Sequence, residues 1–221
     1  MGINEAIYNG IKKNLYGKYY INNEDVEEFL IGGLEFPKRR DVAIKTIGMI
    51  MKAHNKQKLL GYLVELKKIE TGIGGVEPWV RDHVVHSLLT FLLGIYIQDG
   101  LEDKGKIVGV TPFQWKLAGL FHDVGYPTQI GNDILRQFSA SINNFSKELD
   151  VDADSVGFNP YPINFENLTN NQNSLSLIQH QYDTWNITID VEKEYISASE
   201  RGYLCHGMMS ALSLIRVVDL M

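Results

Sequence analysis

Cysteine is nearly absent from this chain, because Cys205 is the only one among 221 residues. A single cysteine cannot form a disulfide within the chain, and it excludes a zinc site built from several thiolates. Such a composition is typical of proteins in a reducing compartment. We therefore expect a cytoplasmic location.

Long hydrophobic runs are also missing. The longest run, over residues 88–97, is shorter than the ~18 residues that a membrane-spanning helix needs. The first residues carry no basic segment followed by an apolar one, which is the pattern of a secretory signal. We therefore expect no membrane partner.

Positive charge is scarce as well. Lysine and arginine total 21 against 27 aspartates and glutamates, which gives a net charge of −6. Binding along a nucleic-acid backbone needs clustered cations, so the charge argues against general nucleic-acid binding. A small phosphorylated molecule is compatible with this charge, because a bound metal ion supplies positive charge locally.

What the chain does contain is helical patterning. Apolar residues at helical spacing predict helices over 5–15, over a segment that begins near 23, over 42–54 and over 58–70. Asn4 is the candidate N-cap of the first helix, and Asn22 or Asn23 that of the second. Residues 36–40 contain a proline and three basic side chains, and we interpret them as a solvated loop, with phosphate recognition as the alternative. His54 is expected to face solvent.

A break in the pattern suggests a boundary. Residues 71–75 read Thr-Gly-Ile-Gly-Gly and interrupt the helical spacing. They lack the Lys-Ser/Thr pair of a phosphate-binding loop, so we interpret them as a hinge. The chain would then consist of a helical N-terminal part, residues 1–75, and a core, residues 76–221.

Two histidines mark the start of the most apolar predicted helix, residues 82–98. This segment is apolar nearly all round, which indicates a helix buried in a bundle. His83 and His86 are three residues apart and share a face near its start. Packing does not require imidazoles there, although histidines that only pack or cap the helix remain the simpler alternative.

A His-Asp doublet follows 36 residues after His86. Residues 121–127 read Phe-His-Asp-Val-Gly-Tyr-Pro and close a predicted helix that Thr111 and Pro112 begin. Imidazole and carboxylate at a helix end are ligands that Mn, Fe, Ni, Zn and Mg sites use. The alternative is structural: the imidazole of His122 interacts favourably with the negative end of the helix dipole, and Asp123 starts a turn. The helix itself is expected to bury Trp115, Leu117, Ala118 and Leu120.

The two motifs together, His-Ser-Leu at 86–88 and Leu-Phe-His-Asp-Val-Gly-Tyr-Pro at 120–127, resemble the HD-domain metal-dependent phosphohydrolase superfamily. The resemblance covers residues 79–221. It implies an all-α fold, an HD-domain-like helical bundle with a helical N-terminal extension. It also implies a divalent metal ion (Mn, Mg, Fe, Ni or Zn) held by His86, His122 and Asp123.

The same resemblance implies an activity and partners. The reaction would be hydrolysis of a phosphomonoester or phosphodiester, and the substrate a small phosphorylated, nucleotide-like molecule. A homo-oligomer, with a second copy of the chain as partner, is compatible with it.

The resemblance also assigns roles around the ligands. His206 corresponds to a family histidine above the metal, and we expect it to act in catalysis together with Asp123. His83 is expected to face the substrate, to orient a ligand or to be structural. Arg81 is expected to contact a phosphate oxygen or, alternatively, to pair with Asp82 at the surface.

The family pattern requires a late aspartate ligand that this sequence does not provide clearly. Asp219 is the only carboxylate after His206, and thirteen residues place it about 220° around a helix from that histidine. We therefore expect the core to be incomplete at its C-terminal end, another carboxylate to substitute, or metal binding to be weak. The missing ligand keeps a second function open, an HD-like nucleotide-binding or regulatory module without hydrolysis, and a purely structural helical protein is a third.

A long segment, residues 150–172, is poor in apolar periodicity and rich in Asp, Asn and Pro. Loops of this length in a compact domain commonly cover a site. We interpret it as a long loop that is either a lid over the site or a disordered segment.

Overall fold

A computed structural model gives the fold, and it describes residues 2–61, 63–64, 82–106, 109–127, 129–131, 134, 140–141, 174–201 and 206–219. These residues form helices and no strands, which confirms the all-α class. The chain divides into two compact units, Met1–Asp123 and Val124–Met221. The boundary predicted at residue 75 lies outside the described residues, and the HD-domain-like detail of the fold stays a prediction.

The first unit is organised around one central helix. Its elements are α1 (Ile3–Ile11), a π-helical turn (Leu15–Tyr19), α2 (Asn23–Ile31), α3 (Phe36–Ala53), α4 (His83–Glu102) and α5 (Pro112–Phe121). Helices α1, α3 and α5 all pack against α4. The buried face of α4 is formed by Val84, Leu88, Phe91, Leu92 and Ile95.

Helix α4 is less completely buried than its sequence predicts. Leu93 and Ile97 are 41% and 52% exposed, so the first unit covers only part of its apolar surface. With an 18-residue window of mean hydropathy 1.4, α4 is long and apolar enough to cross a membrane. The core helix of a water-soluble protein meets the same criterion, and half of this window is buried inside the protein.

The first two helices differ in detail from their predicted bounds. Helix α1 begins after Gly2 and ends at Ile11, not at residue 15. Asn4 does not cap it, because its side chain donates to the carbonyl oxygen of Leu30 at 3.0 Å. Asn22 does cap α2, as predicted, by accepting a hydrogen bond from the backbone of Glu24.

Helix α3 begins at Phe36, so the predicted loop over residues 36–40 is wrong. Proline in the first turn of a helix costs nothing, since its missing N–H would have no intrahelical partner there. The basic side chains therefore lie on a helix. Arg40 places its guanidinium over the Phe36 ring, 5.0 Å from the ring centroid.

The C-terminal end of α3 is packed against α5. His54 is half-buried, not solvent-facing as predicted, and its Nε2 lies 2.7 Å from Nζ of Lys116. Lys116 is 1% exposed and lies over the rings of Tyr19 and Tyr20. Burial lowers the pKa of Lys116 to about 8. Of the side chains expected inside on α5, Ala118 is exposed instead.

The second unit contains α6 (Ser174–Thr184), α7 (Val191–Arg201) and α8 (His206–Asp219). Met209 and Leu212 of α8 form its buried centre, against which Leu175, Ile178, Tyr195, Ala198 and Met208 pack. Helix α7 was not predicted. The loop predicted over residues 150–172 lies outside the described residues.

Candidate metal centre

A close crossing of α4 and α5 places the candidate ligands. The Trp115 ring lies against Gly94, where an added Cβ would overlap it, and Trp115 Nε1 donates to the carbonyl oxygen of Phe91 at 3.0 Å. One turn along, a Cβ on Gly119 would lie 3.2 Å from Cα of Phe91. Residue numbers rise along one helix as they fall along the other, so the helices are antiparallel. The start of α4 therefore lies beside the end of α5.

The first turn of α4 is held by Asp82. This residue is the N-cap, and its Oδ1 accepts a hydrogen bond from the backbone N–H of Val85 at 2.9 Å. The cap satisfies one of the unpaired amides at the helix start. His83 and His86 follow within the first two turns.

Helix α5 begins and ends as its sequence predicts. Thr111 and Gln114 form a reciprocal capping box at its start, with Pro112 in the first turn. The last helical residue is Phe121. His122 and Asp123 follow in a turn, on backbone that the helix end holds in place.

Three donor atoms converge at this point. His86 Nε2 and His122 Nε2 are 3.4 Å apart, and Asp123 Oδ2 lies 3.4 Å from the first and 3.3 Å from the second. Asp123 is buried, while the two imidazoles are each about a third exposed. The structure thus brings together the three side chains expected as ligands, in a group that could hold a metal ion.

The spacing of the donor atoms fits a metal site. Ligands at ~2.0–2.1 Å around a tetrahedral ion are separated by about 3.3–3.4 Å, which is the observed spacing. An octahedral ion with bonds of ~2.1 Å would separate adjacent ligands by about 3.0 Å, a small adjustment for side chains at a turn. The triangle therefore accommodates a divalent ion, and its identity stays open.

The protonation of His122 can be assigned from its neighbours. His122 Nδ1 lies 3.0 Å from the carbonyl oxygen of Gly119, and a carbonyl can only accept, so Nδ1 carries the proton. In the neutral ring, the Nε2 lone pair then points toward His86 Nε2 and Asp123 Oδ2. Three electron-rich atoms that face one another repel unless a cation or a proton lies between them.

The titration of the site follows from the same contacts. The hydrogen bond that protonated His122 donates to Asp123, together with the negative charge of that carboxylate, raises the pKa of His122 above its usual value, although burial opposes this. Burial raises the pKa of Asp123, but the hydrogen bond donated by His122 and the charges of the neighbouring histidines outweigh it and leave that pKa lowered. At neutral pH the site therefore contains a carboxylate that attracts a cation.

Of the two side chains expected to bind substrate, only His83 lies in the described part of the chain. It is 1% exposed, and its Nε2 lies 4.0 Å from Asp123 Oδ2. This burial fits a residue that orients Asp123, which is one of the roles the sequence left open. A direct contact of His83 with substrate stays a prediction, and Arg81 lies outside the described residues.

His206 belongs to the second unit, at the start of α8. Its backbone N–H and its Nδ1 both contact Oε1 of Gln129, at 3.0 and 2.8 Å. Because an amide oxygen accepts, Nδ1 is the protonated nitrogen. The catalytic role of His206 stays a prediction. In the described residues, no fourth His, Cys, Asp or Glu places a donor atom as near to all three members of the candidate site.

The sequence did not indicate that Arg40 would lie at this helix start. Its Nε donates to Asp82 Oδ2, and the Asp82 side chain is 1% exposed while that of Arg40 is 25% exposed. Forty-two residues separate the partners. No local pattern reports such a contact, which depends on how α3 packs against α4.

No protein-family model, curated protein or solved structure matches this chain, so its functional assignment rests on the geometry of the His86, His122 and Asp123 site.

Proposed function

We propose that this protein is a metal-dependent phosphohydrolase, with a divalent ion (Mn, Mg, Fe, Ni or Zn) held by His86, His122 and Asp123. One observation supports this above the others: the three donor atoms lie within 3.4 Å of one another. A protein gains nothing in packing from this arrangement, since it brings lone pairs together at a partly exposed site. A cation or a proton between these atoms removes the repulsion, and a metal ion satisfies all three donors at once.

The chemistry follows from the ligand set. A bound divalent ion lowers the pKa of a coordinated water and polarises a phosphoryl oxygen. Water oxygen bonds to phosphorus, the P–O bond to the leaving group breaks, and the leaving oxygen takes up a proton. For a phosphomonoester the products are an alcohol and inorganic phosphate.

The chain supplies orientation and proton transfer. The Gly119 carbonyl fixes the tautomer of His122, so that Nε2 remains available as a ligand. Asp123, which its histidine neighbours keep ionised, can accept a hydrogen bond from the attacking water. His206 is the candidate proton donor to the leaving oxygen, a task that suits an imidazole near neutral pH.

A second function has one observation in its favour. Only three candidate metal ligands meet within the described residues. An HD-like module that binds a nucleotide without cleaving it would not need the fourth ligand that the hydrolases of the family use. The two functions share the metal and differ only in whether phosphate is released.

The test begins with the metal content of the purified protein, measured by inductively coupled plasma mass spectrometry. Wild type is compared with His122→Ala and with His180→Ala, a control that removes an exposed histidine from α6. We expect one ion or more per chain in wild type and in the control, and loss of the ion in His122→Ala. Stoichiometric metal in His122→Ala would refute the site.

The second step is a hydrolysis assay with added Mn²⁺ on p-nitrophenyl phosphate and a panel of nucleotides. Release of product by wild type, and not by His122→Ala, supports the enzyme. Binding of an intact nucleotide without release supports the module instead.

A further inference from the structure

The side chain of Arg40 is held at the start of the helix that carries His86. Its Nε donates to Asp82 Oδ2, and its guanidinium face lies on the ring of Phe36. Asp82 is itself fixed, because its other oxygen accepts from the backbone of Val85. A buried carboxylate and an aromatic ring thus set the orientation of this guanidinium before any ligand arrives.

Arg40 and the metal ligands lie at the same end of α4. The backbone N–H of His86 donates to the carbonyl oxygen of Asp82 at 3.0 Å, so the two residues are one helical turn apart. Asp82 is the N-cap, and its carbonyl accepts the first hydrogen bond of the turn on which His86 lies. The residue that anchors Arg40 is therefore the helical neighbour of a candidate ligand.

Two donor nitrogens of Arg40 remain for a ligand. Asp82 uses Nε, whereas Nη1 and Nη2 have no hydrogen-bond or ion-pair partner within the described ranges of the chain. A quarter of the Arg40 side chain is exposed to solvent. A guanidinium stays charged at every physiological pH, and its fork binds two oxygens of one phosphate or carboxylate group.

The combination selects a kind of anion. Two oxygens on the Arg40 fork and one on the metal require a phosphoryl group with three non-bridging oxygens. A phosphomonoester has three, and a phosphodiester has two. The ion pair of Arg40 with Asp82 has no net charge. The metal ion would therefore supply the electrostatic attraction for the phosphate, and the Arg40 fork would fix the orientation of the phosphate.

We propose that Arg40 is a substrate-positioning residue of the metal centre, which holds two oxygens of a terminal phosphate and so favours phosphomonoesters over phosphodiesters. This inference rests on the proposed function and narrows its substrate class.

The experiment measures the affinity of inorganic phosphate for Mn²⁺-loaded protein by isothermal titration calorimetry. Arg40→Lys keeps the charge and the partner of Asp82 but removes the fork. The double variant Arg40→Gln with Asp82→Asn removes the charge without leaving a buried carboxylate unpaired. Lys38→Gln is the matched control, since Lys38 is an exposed cation on the same helix.

We expect both Arg40 variants to bind phosphate about 10- to 100-fold more weakly than wild type, the loss expected for charge-assisted hydrogen bonds. Lys38→Gln should bind as wild type does. The ratio of kcat/KM for p-nitrophenyl phosphate to that for bis(p-nitrophenyl) phosphate should fall by a similar factor in both Arg40 variants. The metal content of all variants should equal that of wild type.

Unchanged phosphate affinity in Arg40 variants that retain metal would overturn this inference and leave the proposed function intact. Wild type that binds metal and phosphate but releases no product would refute the hydrolase, while the phosphate affinities would still decide the role of Arg40. Wild type that retains no metal would overturn both.

Discussion

His86 Nε2 lies 3.4 Å from His122 Nε2, although 36 residues separate these histidines in the chain. Local structure does not bring them together, since His86 lies on α4 and His122 follows the end of α5. Their distance is set by the antiparallel crossing of α4 and α5, in which Trp115 lies against Gly94. The affinity for metal should therefore respond to substitutions at the crossing that touch no ligand.

The first prediction concerns Gly94. A Cβ at this position would overlap the Trp115 ring, so Gly94→Ala forces the helices apart or rotates the indole. We expect a loss of about 1–3 kcal/mol in the free energy of unfolding, typical of overpacking. Metal affinity should fall roughly tenfold or more, as for other changes that displace a ligand. Urea denaturation and metal titration measure the two effects.

Gly100→Ala is the control on the same helix. Nothing lies within 4 Å of a Cβ at Gly100, and alanine favours a helix interior by about 0.5–1 kcal/mol over glycine. This variant should be at least as stable as wild type and bind metal equally well. A metal affinity of Gly94→Ala equal to that of wild type would show that the helix crossing does not set the positions of the ligands.

The second prediction concerns the titration of His122 in metal-free protein. Its pKa should lie above the usual 6.5, because Asp123 stabilises the charged ring. Asp123→Asn removes that negative charge and leaves burial, which lowers the pKa, and the Gly119 hydrogen bond, which raises it, so the pKa of His122 should fall relative to wild type. Long-range ¹H–¹⁵N NMR spectra across a pH series report both the pKa and the protonated nitrogen. Asp183→Asn, an exposed change on α6, should leave it unaltered.

The raised pKa of His122 also makes the stability of the metal-free protein depend on pH. A raised histidine pKa stabilises the metal-free fold fully below the unfolded value of about 6.5, and the contribution is lost as pH rises through the folded value. Metal competes with the proton for His122, so metal affinity should increase over the same pH range. A metal affinity that is constant with pH would exclude His122 as a ligand.

The third prediction concerns the buried amine of Lys116. Its folded-state pKa of about 8 lies below the 10.5 of an unfolded lysine. Between these values the unfolded chain binds more protons, so stability should rise with pH. Relative to Lys116→Met, the free energy of unfolding of wild type should increase by roughly 3 kcal/mol from pH 8 to pH 10.5.

Denaturation at several pH values measures this difference directly. Lys104→Met, which removes an exposed lysine, is the control and should show no such rise. If the difference in free energy of unfolding between wild type and Lys116→Met did not change with pH, Lys116 would titrate as an ordinary surface amine.

The fourth prediction concerns Gly125, two residues beyond the doublet. A Cβ there would lie 2.5 Å from the carbonyl oxygen of His206 and from the backbone nitrogen of Ser210. Backbone cannot move aside as a side chain can, so Gly125→Ala should cost about 3 kcal/mol and loosen α8. Gly131→Ala, where nothing lies within 4 Å, is the control. Hydrogen exchange of α8 amides and denaturation would report the change, and equal protection in both variants would contradict it.

Several signals that act within a few residues predict the structure correctly. The capping box at Thr111, the Asn22 cap and the all-α class depend on hydrogen bonds and spacings that the local sequence contains. The predicted cap at Asn4 is wrong because its side chain donates a hydrogen bond to Leu30, which is distant in the chain. The start of α3 was missed because a proline with basic neighbours suits a loop and a first helical turn equally well.

Burial on α5 could not be predicted from its own pattern. Ala118 is exposed, whereas Lys116 is buried against His54 and the aromatic rings of Tyr19 and Tyr20. Those partners come from segments more than sixty residues away. Which face of a helix is inside depends on what packs against it, and the face that hydrophobicity alone selects differs from the observed one here.

The sequence by itself determined that this chain is helical and that two histidines and an aspartate of ligand chemistry stand at helix ends. Only the tertiary structure decided that His86, His122 and Asp123 meet, and that Arg40 pairs with Asp82 at the start of the helix that carries His86. The physical reason is that distances between remote residues are set by helix crossing. At Gly94 and Gly119 the absence of a side chain lets α4 and α5 approach closely, and the ligands converge because of that approach.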